Sequence, residues 1–128
     1  MNPKSHLWIG RILTGLALAF LLLDAIMKIV KASPAVKGSV ELGYPESAIE
    51  GIGWTLLACT ALYAIPRTAA FGALLLTGYL GGAVATQVRA GNPLFTHVLF
   101  PVYFAVLVWA GLYLRDIRFA RFLRETAQ

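Results

Sequence analysis

Residues 71–92 read F-G-A-L-L-L-T-G-Y-L-G-G-A-V-A-T-Q-V-R-A-G-N, and the fold turns on this stretch. Residues 68–88 are 21 positions without a charge, followed by Arg89 and then Ala90-Gly91-Asn92-Pro93. At roughly 1.5 Å rise per residue they make about 31 Å of helix, the thickness of a bilayer's hydrocarbon core. Gly78, Gly82, Ala85 and Arg89 fall on one narrow stripe at helical spacing. Small residues on such a stripe suit close packing of one helix against another inside a membrane, and Gly78-x-x-x-Gly82 reads as a helix-packing motif.

Composition agrees with that reading. Of the 128 residues, 59% are hydrophobic and 13% charged, with a mean hydropathy of +0.72, against about 25% charged in a soluble average. A soluble domain of this size has too little interior to bury that much apolar surface, so the chain is expected to use the bilayer as solvent. The net charge of +5 then points to membrane topology rather than to nucleic acid, since no basic run is interleaved with aromatics. The single cysteine, Cys59, excludes an intramolecular disulfide and a cysteine-only metal site, and its apolar flanks mark it as a small core residue.

Outward from the central span, three more are expected, for an all-α, four-helix transmembrane bundle in a single domain. The first covers residues 7–30. Lys4, an apolar run and Ala32-Ser33-Pro34-Ala35 have the outline of a secretory signal, but the apolar stretch continues past Asp24, so a retained span is preferred. Asp24 and Lys28 stand four apart, acid first, the favourable order for a helical ion pair. Residues 31–45 read as an exposed connection. The second span, 46–65, has Glu50 at its start and closes at Pro66-Arg67. A tight turn leads into the third, 68–89, which Gly91 ends, with Asn92 as a cap for the next helix. The fourth span, 93–115, carries His97, Pro101, Phe104, Val108 and Gly111 on one face, and Pro101 should kink it or loosen its first turns. Residues 115–128 place Arg115, Arg118, Arg121 and Arg124 at three-residue spacing among Ile117, Phe119, Phe122 and Leu123. Such a basic amphipathic tail suits an anionic membrane surface or simply stops the last span.

Four spans put both termini on one side of the membrane. That side holds Lys4, Arg11, Arg67, Arg115, Arg118, Arg121 and Arg124, seven in all, against Lys28, Lys31, Lys37 and Arg89 on the other. The termini are therefore expected to be cytoplasmic.

With this topology, Asp24, Lys28, Glu50, Gln87, Arg89 and His97 converge at the outer end of the bundle. Charges at that depth are costly unless paired or wetted. The cheapest arrangement is an Asp24–Lys28 pair with Arg89 reaching Glu50 or Asp24. Two readings stay open: an ion-pair network that fixes helix register, or a polar-headed, apolar-walled pocket for a quinone or another lipid-like ligand. In the pocket, Arg89, His97 or Gln87 would meet carbonyl oxygens. A small transporter using Asp24 and Glu50 is a further alternative, as is a scaffold whose tail recruits a cytoplasmic partner. A protein partner or a homo-oligomer is compatible with each. His6 and His97 lie near opposite faces, so no histidine metal site is expected. Motifs for acyl transfer, metalloprotease chemistry or nucleotide binding are missing, so no catalytic role is read from the residues.

Several stretches resemble one family. They are G-R-I-L near the start, D-A-I-M-K at the end of the first span, and L-Y-A-I-P-R-T-A before the third. L-L-L-T-G-Y-L-G-G-A-V-A-T-Q-V-R-A-G and F-P-V-Y-F-A-V-L-V-W-A-G-L-Y-L-R-D complete the set. Together they are similar to the DoxX-like family of small bacterial four-helix membrane proteins, over nearly the whole chain. His97 in L-F-T-H-V-L-F-P fits the pattern, whereas Gln87 stands where members often carry histidine. The resemblance implies a bacterial inner-membrane protein. The wider group includes a subunit of a thiosulfate:quinone oxidoreductase and a member associated with superoxide dismutase and a sulfurtransferase-type partner, which directs attention to quinones and redox partners.

Overall fold

The computed structural model describes residues 3–127, and every regular element in that range is helical. The helices are α1 (Pro3–Ile29), α2 (Ser33–Glu41), α3 (Glu46–Ala64), α4 (Ala69–Ala90), α5 (Phe100–Arg115) and α6 (Ile117–Thr126), with a π-turn at Leu94–Val98. Two of these, α2 and α6, are helices besides the four expected spans. The long helices pack in the cyclic order α1, α3, α4, α5 and back to α1. Three stretches are long and apolar enough to cross a membrane: Lys4–Ile29, Ala69–Ala90 and Leu94–Arg115. Helix α3 falls short of them because Glu46 and Glu50 occupy its first turns among glycines and Trp54.

Each long helix is apolar on nearly every side, so polarity alone does not decide which face is buried. Helix α1 buries Thr14, Ala17, Leu21 and Ala25 at spacings of three and four, and exposes Trp8, Ile12, Leu16, Leu23 and Ile26. A helix that is apolar outside and small-faced inside is built for lipid. The buried seam meets Leu56, Tyr63, Ala73, Leu76, Val108 and Leu112 from the other three helices. Cys59 joins this core as expected of a small apolar residue.

Close approach depends on glycines other than those of the central stripe. A Cβ on Gly72 would meet the backbone of Leu62 and Tyr63, where the short α3–α4 turn presses the two helices together. One on Gly53 would stand 3.0 Å from the carbonyl oxygen of Ala25, and one on Gly111 would stand 2.6 Å from Thr14 Oγ1. Tyr63, fully buried, ties this end: its hydroxyl donates to Val108 O at 2.6 Å and lies 3.5 Å from Thr14 Oγ1.

The connection over residues 31–45 is a helix rather than a loop. Pro34 sits in the first turn of α2, where its missing N–H costs nothing, and Ser39 further along the helix is buried. At the end of α4, Gly91 takes the left-handed conformation (φ 73°) and closes the helix. Asn92, expected to cap the next helix, instead turns its amide back onto Gln87 Oε1 of α4. Pro101 stands in the first turn of α5, directly after the π-turn, so the expected fourth span is interrupted just ahead of the proline.

Candidate functional site

Where α3 and α4 leave their turn, Gly72 holds them together; toward their other ends they diverge and the residues facing the gap are short. Gly51 and Thr55 of α3 and Gly78, Gly82 and Ala83 of α4 cannot fill it, and a cavity of about 730 Å³ results. A Cβ added at Gly51, Gly78 or Gly82 would touch nothing within 4 Å. Gly51, Thr55, Gly78 and Gly82 are also exposed, so the cavity reaches the surface between α3 and α4.

The walls divide by chemistry. On one side Phe20 of α1 stacks on Phe104 of α5 with centroids 4.1 Å apart, and Phe100 meets both rings edge-on at 5.6 and 5.1 Å. On the other, Lys28 Nζ donates to Asp24 Oδ2 and to the Tyr79 hydroxyl, each at 2.9 Å. This reach from α1 to α4 crosses the middle of the bundle and brackets the cavity. An ammonium carries three protons, so one remains after these two bonds; the Tyr79 O–H, having accepted from Lys28, still has its own proton to give. The side chain of Lys28 is 18% exposed and that of Asp24 36%, and each offsets the cost of placing the other's charge among apolar helices.

A roof covers this polar end. Ser39 of α2 and Leu42 and Tyr44 beyond it line the cavity from above. Thr86 Oγ1 spends its proton on Gly82 O at 2.9 Å, so Tyr44 is the donor in its 2.6 Å bond to Thr86. Arg89 Nη2 donates to Leu42 O at 3.0 Å. Gly43 makes that bond feasible: its φ is 95°, and a Cβ there would come 3.0 Å from Arg89 Nη2. Helix α4 thereby holds the α2–α3 connection over the cavity.

Of the residues singled out from the sequence, Asp24, Lys28 and Gln87 line the cavity. Arg89 does not reach Glu50 or Asp24; a backbone carbonyl from the unforeseen helix α2 lies nearer and takes its proton. Glu50 is exposed beside Trp54, whose Nε1 donates to its Oε1 at 3.4 Å. His97 is exposed in the π-turn, its Nδ1 2.8 Å from Thr96 Oγ1. Gly78 and Gly82 hold space open instead of bringing helices into contact, and Ala85 is exposed. The sequence placed Phe104 on one face of the fourth span but marked no site role for it, nor for Tyr79, Tyr44, Phe20 or Phe100. One signal was at hand: a tyrosine inside an uncharged span needs a partner for its hydroxyl, and Lys28 is the unspent donor nearest the same end. Among the described residues, no group of three or more His, Cys, Asp or Glu could hold a metal ion.

A family model described as the DoxX-like family matches residues 12–111, a range that contains every residue lining the cavity. Neither the comparison with curated proteins nor that with solved structures produced a match. With more than three quarters of the chain matched, and with apolar helices suited to the bilayer, the protein is a membrane protein that belongs to the DoxX-like family.

Proposed function

We propose that this protein binds a membrane-soluble amphiphile, a quinone or a similarly headed lipid-like molecule, in the cavity between its helices, as an accessory or ligand-binding subunit. The observation that carries the reading is the division of one cavity of about 730 Å³ into a phenylalanine wall and a Lys28–Tyr79 donor pair. Pockets for small molecules are mainly apolar with a few convergent polar groups, and this one has that form. A ring carbonyl fits the spare Lys28 N–H or the Tyr79 O–H, and the flat ring fits the Phe20–Phe104 stack. A hydrocarbon tail leaves between α3 and α4, where the bordering residues are glycine and threonine.

The topology proposed with this site has four spans. Helix α3, 19 residues and so about 28 Å long, crosses as a fourth span with Glu46 and Glu50 at the water interface. The arginine-rich end, with both termini, faces the cytoplasm of a bacterial inner membrane. The cavity then lies under the outer headgroups. Transport through Asp24 and Glu50 is less well supported, because Asp24 is already neutralised by Lys28 and Glu50 points away to Trp54.

Titration calorimetry of the detergent-solubilised protein with a short-tailed benzoquinone tests the proposal. Saturable binding is expected, and Tyr79→Phe weakens it by about 5- to 10-fold, the loss of one hydrogen bond in a partly dry site. Lys28→Met abolishes it. Linear, non-saturating heats, or a Lys28→Met protein that binds as wild type does, would refute it.

A further inference from the structure

The opposite end of the molecule holds a second cavity, of about 320 Å³, and its chemistry is different. Arg11 enters it from α1, Arg115 from the end of α5 and Arg118 from the start of α6. Asp116 is the one acid among them. It is already engaged, since Oδ1 accepts from the N–H groups of Arg118 (2.9 Å) and Phe119 (3.3 Å) as the cap of α6, with Arg118 Nε 3.6 Å away. Three guanidinium groups therefore meet one carboxylate, which caps α6 and pairs with Arg118, so positive charge is in excess in this cavity.

Arg115 is held rigid. Its Nη2 donates to Tyr63 O at 2.6 Å, and its guanidinium lies 4.8 Å over the Tyr63 ring. Its Nε–H, however, is buried without a hydrogen-bond partner. Buried donors are rarely left unpaired, and a guanidinium fork held in one plane is the usual partner of a phosphate. Arg118 stays within reach through its own bond to Pro66 O at 3.2 Å, and Arg11 is exposed beside Trp8. Leu7 and Ile117 supply apolar wall next to this charge.

We propose that this cavity binds a phosphate group through Arg11, Arg115 and Arg118, either the phosphodiester of an anionic lipid or free phosphate. The site stands apart from the large cavity and does not depend on what that cavity binds. The apolar wall and the exposed Ile117 and Phe122 of α6 favour the lipid, whose glycerol and chains would rest against them.

The test uses the full chain in detergent micelles with two probes. Native mass spectrometry measures retention of phosphatidylglycerol against phosphatidylcholine, and thermal unfolding is followed as inorganic phosphate is added. Arg115 is left intact, because its bond to Tyr63 O belongs to the fold. Instead Arg11→Gln/Arg118→Gln is compared with Arg121→Gln/Arg124→Gln, which removes the same charge from outside the cavity. Preference for phosphatidylglycerol identifies a lipid site, and stabilisation by phosphate alone identifies a free-anion site. In either case the first double variant weakens binding on the order of 30-fold, at roughly fivefold per arginine, while the second stays close to wild type. Wild-type protein that responds to neither probe, or two double variants that weaken binding equally, would overturn the site.

Discussion

Gly72→Ala and Gly82→Ala make the same chemical change ten residues apart on one helix, and the geometry predicts opposite results. At position 72 the new Cβ would stand 2.6 Å from Tyr63 Cα and 2.7 Å from the Leu62 carbonyl carbon, and closer still to Tyr63 N. Ordinary contact begins at 3.4 Å, and all three atoms are backbone, so no side chain can rotate away. Helices α3 and α4 must part by about 1 Å, at a cost of about 1–3 kcal/mol. Tyr63 moves with them, loosening its bonds to Val108 O and to Arg115. At position 82 a Cβ meets nothing within 4 Å, so the variant is neutral or gains up to about 1 kcal/mol of helix propensity. Cys59 is a built-in reporter, being the single cysteine, on α3 and 8% exposed. Its alkylation by a maleimide in mild detergent requires transient opening, and the rate tracks the free energy of that opening. Gly72→Ala should react about 5- to 150-fold faster than wild type, and Gly82→Ala no faster. Equal rates for the two variants, or a faster Gly82→Ala, would refute the assignment of contact to Gly72 and open space to Gly82.

Two further outcomes follow from the same geometry. Gly82→Leu places a branched side chain inside the large cavity without backbone conflict, so Cys59 alkylation stays slow while saturable benzoquinone binding in calorimetry is lost; undiminished binding would move the ligand elsewhere. For the topology, Glu41→Cys and Thr126→Cys are introduced separately in a Cys59→Ser background, and intact cells are treated with a membrane-impermeant maleimide. Labelling at position 41 and protection at position 126 are expected, and the reverse pattern inverts the orientation.

Local chemistry made much of this protein legible from sequence. Uncharged runs of bilayer length, proline and glycine at their ends, and a carboxylate four residues ahead of an amine all act within one helix. The α1, α4 and α5 spans, the left-handed Gly91 and the Asp24–Lys28 pair were therefore readable before any folding was considered. The family resemblance was readable too, since it rests on the same stretches. Helix α2 was harder to see. Nine residues of mixed polarity form no convincing apolar face alone, and α2 gains its place by packing on α1 and α3.

What only the tertiary structure decided is where the four long helices touch and where they part. A glycine on a helix permits close packing and permits a void equally well, and its sequence neighbours do not say which. The stripe of Gly78, Gly82 and Ala85 became cavity wall and exposed surface because the short turn between α3 and α4 draws those helices together at Gly72 and lets them diverge beyond it. Arg89 turned to Leu42 O because α2 brought a carbonyl within 3.0 Å, and Lys28 found Tyr79 across 51 positions of sequence. The sequence by itself therefore determined the helices and the charges they carry. Their crossing determined which of those charges share a site, because a helix's faces are set by its own residues but its neighbours by the whole chain.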